Sequence, residues 1–295
     1  MSATPLISVT VPTRNSERTL ERCLQSVRDQ DVPTEIIVAD DCSTDRSPAI
    51  AAAFGARILP GPLSLLEARI RAAQAASTAF VVLLDSDQIL RPGVLERGLE
   101  LLDSNDALVL EEESSPPSSW ISGLLAADKR LLHHLSDHHL TPGSGSLLPR
   151  VFKSWVLTRA FELIPEHVHT MSVVAQDHAI IWDAVAKVTT SVGMVPDAVL
   201  HEEVTTFGDM FRKYFRWGAD LPALFDAAPE YRRLTTRGVR GRLHRGDAPL
   251  ADYVRSMTLL AMKTVPYGSG YVYGRLVQPR RRGRTAARSN SNASA

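Results

Sequence analysis

Two cysteines, Cys23 and Cys42, are the only thiols in 295 residues. They have no metal-type spacing and make no disulfide scaffold, which fits a reducing cytosol. Long apolar runs are missing as well. No stretch reaches the roughly 18 residues that a membrane-spanning helix needs. Met1–Pro5 has no basic region leading into an apolar run, so no secretory leader is expected. The expected location is cytoplasmic, with attachment to the cytoplasmic face of a membrane left open.

What is present is ordinary for a globular chain: 44% hydrophobic and 22% charged residues, enough for one large or two modest domains with a real core. Thirty-three basic residues balance thirty-three acidic ones, but unevenly. Residues 206–295 hold 17 Lys/Arg against 6 Asp/Glu, a net +11, and residues 1–205 hold 16 against 27, a net −11. A basic C-terminal third fits an anionic partner (lipid headgroups, phosphates or nucleic acid) or a solvated face that neutralises the rest.

Hydrophobic patterning in the first half alternates between the two periods. Leu6–Val11 reads as a strand that stops at Pro12-Thr13-Arg14-Asn15. Ser16 has the look of a helix cap, followed by Leu20, Cys23, Leu24 and Val27 at helical spacing. Glu35–Ala39 is a second strand ending in Asp40-Asp41-Cys42-Ser43-Thr44-Asp45, and Ser47-Pro48 opens a second helix. Ala56–Leu59 is a short strand, and Leu65–Ala76 is helical. The centre of the pattern is Phe80-Val81-Val82-Leu83-Leu84-Asp85-Ser86-Asp87. Its apolar run reads as a strand buried on both faces. It ends in two carboxylates that would share a face if the strand lasted that far, and so close a pair favours a cation between them. A plain polar turn, with one Asp capping a helix near Pro92, is the other reading of the same residues. The alternation predicts an α/β, doubly wound, mostly parallel sheet flanked by helices, with ligands at the C-terminal strand ends.

Ile7–Asn15 (ISVTVPTRN), Ile36–Asp45 (IIVADDCSTD), the pair Ala68-Arg69, and Asp85-Ser86-Asp87 resemble, in order and spacing, the motifs of the family 2 glycosyltransferases. The resemblance covers about residues 6 to 220, with Ile70 in place of the usual Asn after Arg69. It implies a GT-A-type, Rossmann-like fold and inverting sugar transfer from a nucleotide sugar. It also implies roles for individual residues. The backbone of Pro12, Thr13, Arg14 and Asn15, with Asp41, would hold the nucleobase, usually uracil. Arg69 would support base or diphosphate, Asp85 would sit by the ribose with Ser86 beside it, and Asp87 would ligate a divalent Mg2+ or Mn2+ ion.

Beyond the motifs, Glu111–Glu113 and Ser114–Ser119 read as an exposed loop, and Trp120–Leu135 as a helix. His133, His134, His138 and His139 fit no ligand spacing, and Thr141–Ser146 reads as a flexible turn. Asp177 precedes a helix running to about Lys187. It is a helix cap by position and, by resemblance, the base that takes the acceptor proton, with Gln176 where the family has Glu. Residues 186–189 and 192–195 suggest a strand pair. His201 ends a further strand and resembles the histidine that completes the metal site. Phe207–Leu221 is amphipathic. Within it Lys213–Trp217 partly resembles a Gln-x-x-Arg-Trp motif with Lys213 for Gln, which would let Arg216 or Lys213 brace the diphosphate. Residues 251–277 read as helical, broken at Pro266 and at Gly268-Ser269-Gly270. They fit an anionic membrane surface, the catalytic domain or a homodimer interface. The expected organisation is a nucleotide-sugar-binding catalytic domain at 1–205, a mainly helical region at 206–278 and a disordered basic tail at 279–295.

The leading expectation is therefore a hexosyltransferase-like enzyme using a UDP-linked sugar and a divalent metal. Its acceptor stays open among lipid-linked, glycan, protein and small-metabolite hydroxyls. Two alternatives are a non-catalytic membrane- or polyanion-docking protein on a GT-A scaffold, and a sugar-phosphate nucleotidyltransferase. The second is disfavoured because Pro12–Asn15 contains no glycine.

Overall fold

The computed structural model describes residues 4–136, 148–234 and 248–277. Among these, eight strands form one sheet: β1 (Ile7–Thr13), β2 (Thr34–Asp40), β3 (Arg57–Pro60), β4 (Phe80–Leu83), β5 (Gln88–Leu90), β6 (Ala107–Ser114), β7 (Pro149–Lys153) and β8 (Val192–His201). The order across the sheet is β3-β2-β1-β4-β7-β6-β8-β5. β2 and β4 flank β1 in parallel, β3 lies parallel to β2, and β8 lies parallel to β6. β7 runs antiparallel to both β4 and β6, and β5 antiparallel to β8. The sheet is thus mostly parallel, as expected, and it brings the carboxyl ends of β1, β2 and β4 to one edge.

Helices cover both faces. α1 (Leu20–Arg28), α2 (Ser47–Ala53) and α4 (Val94–Leu101) bury their apolar residues with Val9, Val11, Val38 and Val82 of the strands. α3 (Leu65–Gln74), α6 (Ser154–Glu162), the short α7 (Glu166–His169) and α8 (Asp177–Val185) lie on the other face, against Val81, Leu83 and Phe152. α3 begins with Ser64 accepting from the Glu67 N–H at 3.1 Å, an N-cap that the sequence pattern allows. α5 (Trp120–Ser136), α9 (Phe207–Ala227) and α10 (Leu250–Leu276) form a separate layer with its own small core around Leu124, Met210, Tyr214 and Leu259.

Several local expectations are corrected. Ser16 does not cap α1. Its carbonyl accepts from the N–H groups of Thr19 and Leu20, and the helix proper starts at Leu20. Glu111–Glu113 are not a loop, because β6 continues through them to Ser114 and buries Glu112. Residues 186–189 are not a strand. They close the end of α8, where Lys187 N and Thr189 N donate to Ala184 O and Val185 O.

α10 is not broken at Pro266 or Gly268–Gly270; it is one 27-residue helix. Its glycines favour packing over propensity. A Cβ on Gly270 would stand 2.0 Å from the Phe215 carbonyl oxygen, and one on Gly274 2.3 Å from that of Ala219. Gly218 on α9 makes the reciprocal approach, 2.0 Å from the Tyr267 oxygen. The missing side chains let the two backbones touch, and that contact holds α10 helical where its own sequence would fray. No described helix is long and apolar enough to cross a membrane. The expected tail at 279–295, the turn at 141–146 and His138–His139 lie outside the described residues.

Candidate functional site

A cleft of about 1560 Å³ opens over the carboxyl edge of β1, β2 and β4 and is roofed by α5, α9 and α10. Its lining includes Pro12, Thr13, Arg14, Asp41, Arg69, Asp85, Ser86, Asp87, Asp177, His201 and Arg216. Nearly every residue singled out by motif therefore reaches one cavity, although Asp41, Asp87 and Asp177 come from separate segments.

Asn15 differs. Its backbone has φ +50°, its Oδ1 accepts from Thr44 N at 2.8 Å, and its N–H donates to Ser43 Oγ at 2.8 Å. The side chain ties the turn after β1 to the loop after β2 and is not among the residues lining the cleft. Asp41 is braced nearby. Its Oδ2 lies 2.7 Å from Arg14 Nη1, and its Oδ1 accepts from Leu63 N at 3.0 Å.

The expected shared face of Asp85 and Asp87 is also corrected. β4 ends at Leu83, and a turn closed by Gln88 N donating to Asp85 O separates the two carboxylates. Asp85 turns inward. It pairs with Arg69 Nη2, and its Oδ2 lies 3.0 Å from Arg150 Nη1. Burial alone would raise the Asp85 carboxyl, but the charges of Arg69 and Arg150 outweigh it and hold it well below the usual range. Asp87 faces the other way and is partly exposed, with Oδ2 3.5 Å from His201 Nε2.

Arg69 is 2% exposed and divides its guanidinium between two acids. Nε donates to Asp177 Oδ2 at 2.5 Å while Nη2 donates to Asp85. Asp177 is the first residue of α8, buried, and fixed by that contact at the cleft wall. Its Ncap neighbour is Gln176, so the capping alternative does not describe it.

Behind this row lies a set of residues that sequence reasoning missed. Arg150, on β7, also approaches His178 Nε2 at 2.9 Å and Glu112 Oε2 at 3.4 Å. Glu112 accepts from Gln88 Nε2 and pairs with Lys129 of α5. Lys129 Nζ reaches Glu203 Oε1 at 3.0 Å, and Glu203 Oε1 lies 3.0 Å from His201 Nδ1. Alternating charge thus runs without interruption from Asp177 through Arg69, Asp85, Arg150, Glu112, Lys129 and Glu203 to His201 and Asp87. Burial opposes the charged forms of Glu112, Lys129, His201 and Glu203, and their neighbours restore them. Glu112 is lowered to about 2 by Lys129, His201 and Arg150, and His201 is raised to about 10 by Asp87 and Glu112. His178, facing Arg69 and Arg150, is lowered by burial first and by those cations second.

One signal pointed to Glu112. Ala107–Leu110 is an apolar run that ends in carboxylates, the same pattern as Phe80–Leu84 before Asp85. Lys129 and Arg150 carried no such mark: Lys129 stands between Asp128 and Arg130 in an amphipathic helix, and Arg150 shares a five-residue strand with Lys153.

Among the described residues no three His, Cys, Asp or Glu side chains converge as a metal-ligand set. Asp87 and His201 do form a two-ligand pair. The 3.5 Å between their oxygen and nitrogen is close to the roughly 3 Å that separates adjacent ligands around an ion held at about 2.1 Å. Such a pair, open to the cleft, fits a divalent ion that displaces the proton from His201 Nε2 and takes its other ligands from a diphosphate and water.

Comparison with known proteins agrees with the geometry. Residues 8–111 match the model described as glycosyl transferase family 2. The succinoglycan biosynthesis protein ExoO of Rhizobium meliloti is 30% identical over 165 residues, 53% of this chain and 44% of that protein. The mannosyltransferase PcManGT of Pyrobaculum calidifontis, solved with GDP-Man and Mn2+, superposes with a TM-score of 0.53 at 18% identity, covering 96% of this chain and 84% of that one. S. aureus TarS 1-349, solved with UDP-GlcNAc, gives a TM-score of 0.51 at 16% identity, covering 92% and 91%. At these identities the two structures establish a shared fold, the GT-A-type arrangement. The chain spans less than half the length of the curated relatives it matches.

Proposed function

We propose, from the match of residues 8–111 to the model of glycosyl transferase family 2, that this chain is an inverting, metal-dependent glycosyltransferase. It moves a sugar from a nucleotide sugar, with UDP as the nucleotide, to an acceptor hydroxyl. The observation that carries the reading is the convergence of Asp41, Asp87, Asp177 and Arg69 on one cleft from four separate segments.

In this reading the turn after β1 and Asp41 hold the base, and Ser86 and Asp85 border the ribose. Asp87 and His201 would hold the divalent ion, which supplies positive charge to the departing diphosphate. Asp177 takes the proton of the acceptor hydroxyl as its oxygen bonds to the anomeric carbon. The bond from that carbon to the diphosphate oxygen breaks on the opposite face, and the nucleoside diphosphate leaves with the electron pair. Arg69 positions Asp177 and joins it to Asp85. Arg216, exposed on α9 at the cleft mouth, adds charge on the diphosphate side. GDP-Man and Mn2+ in the mannosyltransferase and UDP-GlcNAc in TarS support a nucleotide-sugar donor and a divalent metal here.

The test is nucleotide release from a panel of UDP- and GDP-sugars with Mn2+ or Mg2+, for the wild type and for Asp177→Asn. The expected result is metal-dependent release of UDP that falls by about 10²–10⁴-fold in the variant, with nucleotide affinity retained. Full turnover by a folded Asp177→Asn protein would remove Asp177 as the base. No release from any donor in the panel would remove the enzyme reading.

A further inference from the structure

α10 packs its inner side on α5 and α9, and its outer side is bare among the described residues. Leu250, Val254, Val265, Val272 and Leu276 are 59%, 53%, 68%, 55% and 65% exposed. At 3.6 residues per turn these five fall within an arc of roughly 80°, along a helix about 40 Å long. Ala261 and Thr258 complete that arc, Gly268 marks its edge where the helix meets the cleft, and the arc contains no charged residue. Half of the large hydrophobic side chains exposed among the described residues stand on this one face. That is a continuous strip, unlike the single exposed apolar residues that any surface carries.

The charge that follows the strip is of one sign. Along the helix itself Arg255 and Arg275 border the strip, Arg255 3.9 Å from the buried Asp252 and Arg275 2.7 Å from the exposed Asp226 of α9. Directly after the helix the sequence reads Gln278-Pro279-Arg280-Arg281-Arg282-Gly283-Arg284, followed by Arg288, with no acid through Ala295. A second copy of this chain is a poor occupant. A paired copy would bring its own arginines beside those of the first. A bilayer with anionic headgroups satisfies both features at once, taking the apolar strip at the acyl boundary and the arginines at its surface.

We propose that the outer face of α10 lies on an anionic lipid bilayer, anchored jointly by the Leu250–Leu276 strip and the arginines at 280–288. The inference goes beyond sugar transfer and does not depend on it. It has a structural consequence, because the same helix gives Leu260, Lys263, Thr264 and Tyr267 to the cleft wall. Docking by its outer face sets the cleft beside the headgroup layer.

The test is flotation of the full chain with vesicles of phosphatidylcholine alone, and of phosphatidylcholine with about one-quarter phosphatidylglycerol. The expected result is binding to the anionic vesicles only, weakened by added salt. The double variant V265E/V272E should bind at least about tenfold more weakly, with an unchanged thermal midpoint because both positions are exposed. If that variant loses its fold, Val265→Ser is measured in its place, with the same direction expected. Replacing Arg280, Arg281, Arg282, Arg284 and Arg288 with Gln should abolish the preference for phosphatidylglycerol. Wild-type protein that stays unbound with anionic vesicles at low salt overturns the proposal. So does a folded strip variant that floats like wild type, or a strip variant that turns a dimer into a monomer without changing vesicle binding.

Discussion

Glu112→Gln removes one charge from the middle of the buried chain and changes little else, since the amide keeps the shape. In the folded protein the carboxyl is held at about 2 instead of its ordinary 4.5. At about 1.4 kcal/mol per pH unit this corresponds to about 3 kcal/mol of stability at neutral pH. That magnitude agrees with the about 3–5 kcal/mol expected when a buried ion pair loses one partner, here Lys129. The sign follows from the direction of the shift. A depressed carboxyl contributes stability that is present above pH 4.5 and is lost as pH falls toward 2. Urea unfolding with linear extrapolation, run from pH 7 to pH 3, should show the variant about 3 kcal/mol less stable at pH 7. The gap should narrow to roughly 1 kcal/mol by pH 3, because the wild type loses its advantage first. A gap under about 0.5 kcal/mol at pH 7, or one that stays constant down to pH 3, would refute the placement of Glu112 in a charged buried network.

Other outcomes follow from the same structure. Gly270→Ala should destabilise by about 1–3 kcal/mol in thermal or urea unfolding, because its Cβ would overlap the Phe215 carbonyl at 2.0 Å. Gly268→Ala, with nothing within 4 Å of the added Cβ, should be neutral or stabilise by up to about 1 kcal/mol; calorimetry of the pair distinguishes packing from propensity. Asp87→Asn should abolish the Mn2+ dependence of UDP binding, read by calorimetric titration with and without metal. Arg14→Ala should cost less than about 1 kcal/mol in stability, since its ion pair with Asp41 is solvent-exposed on the arginine side.

Sequence alone determined the alternation of strands and helices from Leu6 to Leu84 and the ends at which carboxylates would gather. Apolar runs of one period and helices of the other are written locally, and Asp41, Asp85 and Asp87 follow directly from the ends of β2 and β4. It also placed Asp177 at the start of a helix and His201 at the end of a strand. Only the tertiary structure decided which of these acids meet which cations. Arg69 joins Asp85, 16 residues along the chain, to Asp177, 108 residues along it, and Arg150 and Lys129 extend that contact to Glu112 and Glu203. No local period encodes such pairings, because they depend on how β6 and β7 sit between β4 and β8 and on how α5 closes over them. The continuity of α10 was likewise beyond local reading. Proline and glycine propensities argue for a break there, and the backbone contact with α9 that overrides them exists only once the two helices have packed.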